Sequence, residues 1–225
     1  MPVVKVGNKV NGEKVILSLC DYSGQWLRGY QEQGYSTIQF DLKHGDDVTN
    51  FDQTRQDIIG ICGVIDELVD GLAYVHGILA APPCTDFSVS GAQYWPAKDA
   101  DGRTAKAVQI VEACLYIIDS FRPRFWALEN PVGRLPKLVT RIGKPWYFQP
   151  HEYALYADDP EADRYTKRTG IWGTAVKPAP KGLEPIRVCK QGSWIQKLGG
   201  KSERTKELRS MTPVGFARAF AEANP

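Results

Sequence analysis

The sequence predicts an α/β protein built on a doubly wound, mostly parallel sheet with a small irregular lobe. Three observations carry that expectation. Short apolar runs alternate with helix-like stretches from Lys14 to Pro131, the pattern of successive strand–helix–strand units. The runs end in Gly, Pro, Asp or Ser, residues that favour turns. From about Gln149 to Arg209 this rhythm stops, and Pro, Gly and charged residues dominate.

Each element has its own signal. "KVILSLCDYSG" (Lys14 to Gly24) reads as a buried strand entering a tight loop. "WLRGYQEQG" (Trp26 to Gly34) reads as a helix closed by glycine, with Trp26 as packing. "YSTIQFDL" (Tyr35 to Leu42) alternates like a strand and ends at Asp41. "TRQDIIGICGVIDELVDGL" (Thr54 to Leu72) is helical in pattern despite its glycines. "VHGILAA" (Val75 to Ala81) is a third strand, stopped by Pro82 and Pro83, which lock φ and lack an N–H. "TAKAVQIVEACLYIIDSF" (Thr104 to Phe121) sets Val108, Val111, Leu115 and Ile118 on one helical face. "RFWALENP" (Arg124 to Pro131) is a fourth strand. "TPVGFARAFAEANP" is helical, with Phe216 and Phe220 one turn apart, and returns to the main domain. The expected division is a main domain over 1–148 plus 210–225 and a small basic lobe over 149–209.

Composition narrows the class. A chain of 225 residues that is 43% hydrophobic suits one globular domain. The N-terminal "MPVVKVGNKVNGEKV" has no signal-peptide core, and no apolar run is long enough to span a bilayer, so a cytoplasmic protein without a membrane partner is expected. The 5 cysteines are scattered without a CxxC pair, which suits reduced thiols. The 3 histidines lie far apart, so no metal is expected. Net charge is only +2, yet Arg164 to Arg209 holds 12 Lys/Arg against 3 Asp/Glu. That asymmetry, interleaved with Trp172 and Trp194, points to a face for a polyanion.

The chemistry-bearing residues fall at consecutive strand ends. The first loop is "CDYSGQW", and Asp41 closes the next strand. Loop amides with a carboxylate at the neighbouring strand end make a generic nucleotide cofactor site, although no GxGxxG is present. The later loops carry Cys84 and the pair Glu129-Asn130. A thiol beside a carboxyl group suits nucleophilic attack assisted by an acid.

"PPCTDFS" (Pro82 to Ser88) followed by "ENP" (Glu129 to Pro131) resembles the catalytic pair of the cytosine-C5 DNA methyltransferases. The order of parts is similar too: cofactor loop, acid, "DDV" (Asp46 to Val48), Pro-Pro-Cys, Glu-Asn, "TKRTGIWG" (Thr166 to Gly173) and "RSMTPVGFARAF". The chain looks like the compact phage-type members with a reduced target-recognition region. It departs from them at Cys20-Asp21-Tyr22, where the family has a phenylalanine before its glycine turn. It departs again at Pro131, where valine is usual, and at the adjacent Lys167 and Arg168, where two spaced arginines are usual.

The resemblance implies a Rossmann-like S-adenosylmethionine-dependent methyltransferase fold. It implies S-adenosyl-L-methionine as donor, S-adenosyl-L-homocysteine as product, and no metal. The partner would be DNA, as a duplex with a flipped cytosine or as a single strand, acted on by a monomer in bacterial or phage-infected host cytosol. Cys84 would be the nucleophile, Glu129 the acid and Arg168 the charge-stabilising cation. Asp21, Tyr22, Ser23, Gly24, Asp41, Leu42, Asp47, Val48, Pro82 and Thr212 would contact the cofactor, with Asp46 competing for the role of Asp47. Ser88, Lys167, Lys197, Lys201 and Arg204 would contact nucleic acid. The residues leave open cytosine methylation in RNA, a pyrimidine nucleotide substrate, and a catalytically inactive nucleic-acid-binding module.

Overall fold

The computed structural model describes residues 1–190, 192–198 and 202–225. Lys201 therefore lies outside the described residues. Seven strands form one sheet: β1 (Val3–Lys5), β2 (Asn11–Leu19), β3 (Tyr35–Phe40), β4 (Tyr74–Ala80), β5 (Phe125–Pro131), β6 (Trp146–Phe148) and β7 (Thr169–Gly173). Their order is β1-β3-β2-β4-β5-β7-β6. Strands β3, β2, β4 and β5 are parallel neighbours. β1 joins the edge of β3 antiparallel, and β7 runs antiparallel between β5 and β6. This is a doubly wound, Rossmann-like sheet. The chain winds outward in both directions from β2, so the carboxyl ends of β2, β3 and β4 border the switch point where such sheets build sites.

The helices are α1 (Arg28–Glu32), α2 (Phe51–Val69), α3 (Trp95–Ala100), α4 (Arg103–Phe121), α5 (Leu135–Leu138), α6 (Trp194–Lys197), α7 (Glu203–Ser210) and α8 (Val214–Ala223). Alternation along the strands sends side chains to two cores. Leu17, Leu19, Ile78, Ala80 and Leu128 join Ile58 and Ile65 of α2 and Val111, Leu115 and Ile118 of α4 on one face. Ile16, Leu79 and Ala127 join Trp26, Tyr30 of α1, and Phe216 and Phe220 of α8 on the other. The four-residue face expected on α4 is buried except for Val108, which packs at its margin. Trp26 is packing, edge-on to Phe220 at 5.5 Å between ring centroids.

Helix α8 completes the second core. Phe216 stacks on Phe148 with centroids 3.6 Å apart, and Tyr30 Oη donates to the carbonyl of Asn224 at 3.1 Å. The segment 149–209 does not stay wholly outside the sheet. Thr169, Gly170, Ile171 and Trp172 of strand β7 are all buried, and they pair with β5 from Leu128 to Pro131. The turn Pro150–Tyr156 packs on α8 through Tyr153. No helix among the described residues is long and apolar enough to cross a membrane.

Candidate active site

Strand β2 ends at Leu19, and Cys20 turns the chain with φ 59°. The loop that follows is organised by Asp21. Its Oδ1 accepts from Ser23 Oγ and Gly24 N, both at 2.9 Å, and its Oδ2 accepts from Ser18 Oγ at 3.0 Å. This carboxylate is turned inward, and its burial raises its pKa against the pull of those hydrogen bonds. Gln39 of β3 holds the loop from the other side. Its Nε2 donates to the carbonyls of Asp21 at 2.6 Å and Tyr22 at 2.8 Å. Gly24 has φ 64°, and a Cβ there would stand 2.7 Å from Gln39 Oε1. The left-handed backbone favours glycine, and a Cβ would displace the Gln39 amide that holds the loop. Tyr22 remains exposed, with Lys43 Nζ 4.4 Å above its ring and His44 beside it.

At the end of β3, Asp41 Oδ1 caps the turn Leu42–His44 by accepting from Lys43 N at 2.8 Å. Its other oxygen has no protein partner among the described residues. Leu42 is exposed, whereas Val48 is buried in the core. Asp47 Oδ1 accepts from the backbone N and Oγ1 of Thr49 at 2.9 and 2.7 Å. Asp46 faces the N-terminal ammonium at 3.3 Å.

Strand β4 ends at Ala80, directly before Pro82-Pro83-Cys84. The Cys84 carbonyl accepts from Phe87 N at 3.0 Å and Ser88 N at 2.9 Å, folding the segment into a tight turn. Asn130, fully buried at the end of β5, donates through Nδ2 to the Pro82 carbonyl at 2.9 Å. The thiol loop is thus tied to the strand end that carries Glu129. Burial and the negative charge of Glu129 push the Cys84 thiol up, while Lys167 and Arg209 pull it down. Burial also raises Glu129, opposed by Lys167 and reinforced by Asp21. Thiol, carboxyl group and Lys167 therefore share one electrostatic environment.

The adjacent basic residues diverge. Arg168 is exposed and lies over the Tyr147 ring at 4.3 Å. The charge felt at both Cys84 and Glu129 is that of Lys167. Successive side chains of an extended segment point to opposite sides, which separates these neighbours. Glu207 of α7 reaches Lys43 at 3.0 Å, joining α7 to the second strand end. Arg209, at the end of α7, acts on Cys84. Thr212 is buried just before α8. Ser88 faces Gly133 in a short bridge and contacts Ser90 at 2.9 Å. Lys197 and Arg204 are exposed on α6 and α7.

Sequence reasoning missed Gln39, although a glutamine in the buried run "YSTIQF" is the signal that would have found it. It also missed Arg209, which carries no local signal. No group of three His, Cys, Asp or Glu side chains among the described residues could hold a metal ion.

No protein-family model matches the chain, and no curated protein sequence does. Among solved structures it is similar to an Escherichia coli prophage protein provisionally assigned as a DNA modification methyltransferase, at 15% identity and a TM-score of 0.41. That match covers 77% of this chain and 52% of the other, so this chain spans about half of that protein's length.

Proposed function

We propose that this protein transfers the methyl group of S-adenosyl-L-methionine to C5 of cytosine in DNA through a covalent bond between Cys84 and C6. The observation that carries this reading is the tie between the Pro82-Pro83-Cys84 turn and the Glu129-Asn130 strand end, which puts thiol and carboxyl group in one environment.

The first two strand ends suit a nucleoside cofactor. Gly24 closes the loop in a left-handed conformation, packed against the Gln39 amide. Asp41 would bind the ribose hydroxyls through the oxygen its cap leaves free. Exposed Tyr22 and Leu42 would offer apolar surface to the adenine. When bound, S-adenosyl-L-methionine supplies an electrophilic sulfonium methyl group.

Cytosine C5 is a weak nucleophile. Addition of the Cys84 thiolate to C6 turns the ring into an enamine whose C5 can accept the methyl group. The charge arriving on the ring is met at N3 by the Glu129 carboxyl group, which donates its proton there. Lys167 takes the charge-stabilising role expected of Arg168 and leaves Arg168 for a phosphate. Loss of the C5 proton to water then forms the C5=C6 bond and breaks the sulfur–carbon bond, and return of the N3 proton to Glu129 restores the thiolate and the acid. A base stacked inside a duplex cannot reach the half-buried Cys84 thiol, so it must be flipped out or presented single-stranded.

Nucleoside mass spectrometry of DNA and RNA from cells expressing the chain tests the proposal. 5-Methylcytosine is expected in DNA. Its appearance in RNA alone moves the substrate to RNA, and its absence from both overturns the reading. The cofactor site has a separate test. Asp41→Ala is expected to weaken S-adenosyl-L-methionine binding by about 1.5–3 kcal/mol, since a charged acceptor is lost. Asp41→Asn retains the cap acceptor and separates the loss of charge from the loss of the turn. Unchanged affinity by titration calorimetry in both variants would leave Asp41 as a turn cap and nothing more.

A further inference from the structure

Two buried cations behind the thiol loop have no part in the proposed chemistry. Lys98, on α3, is only 5% exposed. Its ammonium donates to the Thr85 carbonyl at 2.6 Å and lies 3.1 Å from Asp86 Oδ1. Arg134, between β5 and α5, is 9% exposed. Its Nε donates to the Asp86 carbonyl at 3.0 Å. Its Nη1 donates to Asp99 Oδ2 at 2.9 Å and its Nη2 to Thr104 Oγ1 at 2.7 Å. The guanidinium rests on the Trp95 ring at 4.7 Å. The backbone N of Arg134 donates to the Phe87 carbonyl at 3.0 Å.

The three carbonyls that follow Cys84, those of Thr85, Asp86 and Phe87, are therefore each held from outside the loop. The Asp86 carboxylate is held by Lys98 as well. Lysine is among the residues least often buried, because its ammonium must be desolvated and then matched by acceptors. A leucine or methionine would fill the same space without that cost. What the ammonium adds is direction: it addresses two groups of the loop at once, the carbonyl next to the thiol residue and the carboxylate after it. An arginine that clamps the next carbonyl and is itself anchored by Asp99, Thr104 and Trp95 completes a frame around the turn.

We propose that Lys98 is a positioning residue for Cys84, acting with Arg134 to fix the turn that presents the thiol. The proposal rests on the assignment of Cys84 as nucleophile. Attack requires reacting atoms held in a narrow geometry, and displacements near 1 Å cost about 100-fold in rate. Without the two cationic side chains the turn would keep its own two amide hydrogen bonds and the Asn130 tie at Pro82, but the Thr85 and Asp86 carbonyls next to the thiol would be free to move.

The test compares the full chain with Lys98→Met, which keeps the apolar stem and removes the ammonium, and Lys98→Arg, which restores a cation. Two quantities are read: amide exchange of the segment from Cys84 to Ser88, and kcat and KM for methyl transfer. In Lys98→Met, exchange at Phe87 and Ser88 is expected to rise about tenfold or more while β4 and α4 stay protected. In the same variant kcat is expected to fall about 100-fold with little change in KM. Lys98→Arg should recover part of both. Unchanged exchange at Phe87 and Ser88, a rise spread equally over β4 and α4, or a near-normal kcat despite loosened amides would each overturn the proposal. If Lys98→Met does not fold, Thr104→Val removes one anchor of Arg134, and the same regional exchange decides. Failure of the nucleophile assignment looks different: Cys84→Ser would then transfer methyl groups normally while Lys98→Met still loosened the loop.

Discussion

Cys84→Ser is expected to lose methyl transfer by at least about 10³-fold, because a serine hydroxyl is a far weaker nucleophile than a thiolate near neutral pH. Cofactor affinity should be unchanged, since Tyr22, Gly24 and Asp41 sit on the β2 and β3 loops and the thiol on the β4 loop. DNA carrying 5-fluorocytosine should trap the wild-type chain. The sulfur–C6 bond forms and the methyl group is added, but fluorine cannot leave C5 as a cation, so elimination stops. Denaturing electrophoresis should show the adduct in the wild type and not in Cys84→Ser. Near-normal turnover in the variant, or no adduct on DNA that the wild type otherwise methylates, removes Cys84 from the reaction.

Glu129→Gln should lower kcat by about 10²–10⁴-fold, the usual contribution of a positioned acid. The amide can still donate a hydrogen bond to N3 but cannot give up a proton. The pH profile supplies the diagnosis. Burial raises Glu129, so its carboxyl group keeps its proton to higher pH than an exposed glutamate would. The active form pairs a Cys84 thiolate with a protonated Glu129, and burial raises both groups, so activity should follow the product of the two fractions rather than either titration alone. In Glu129→Gln only the thiol is left to titrate, so the residual activity should rise with pH as Cys84 ionises. Stability should move the opposite way. With a folded pKa above its unfolded value, Glu129 releases its proton first in the unfolded chain, so stability falls as pH rises from the unfolded pKa to the folded one. The glutamine has no such penalty, and its melting temperature at neutral pH should exceed the wild type's. A variant that is inactive and also less stable would point to a purely structural role.

Much of the scaffold was legible in the residues. β2, β3, β4 and β5 each bury an apolar run between two layers, and α2 and α4 bury a stripe, so both leave a pattern in the sequence. The Cys84 turn was legible because two prolines can only end a strand. β1 was not, since its three residues are all exposed and its place depends on pairing with Gln39, Ile38 and Thr37. β7 was hidden inside a basic segment. Its four buried residues form too short a run to outweigh the charges around them. At the site, position alone points to Asp21 as a cofactor contact; that its carboxylate also accepts from Ser18, Ser23 and Gly24 within the loop is set by the fold of the turn. The resemblance gives Arg168 the catalytic role and Lys167 a nucleic-acid contact; that the charge reaching Glu129 is that of Lys167 depends on the local path of the chain, which leaves no mark in the sequence. Lys98 and Arg134 leave no periodic mark, since their partners lie 13 and 48 residues away.

The packing of α8 sets a timetable. Phe216 and Phe220 cover a sheet face that includes Ile16, Leu79 and Phe125, yet they follow all of those residues in the chain. Until α8 has been made, that face is covered only in part, by Trp26 and Tyr30, so the growing chain carries an adhesive surface after its strands are complete. Contacts as distant in sequence as Tyr30 with Asn224 also place this protein among the slower folders, for which long-range closure precedes any return in contact energy. Crowded, rapid overexpression at high temperature therefore favours inclusion bodies, and slow synthesis in the cold favours soluble product.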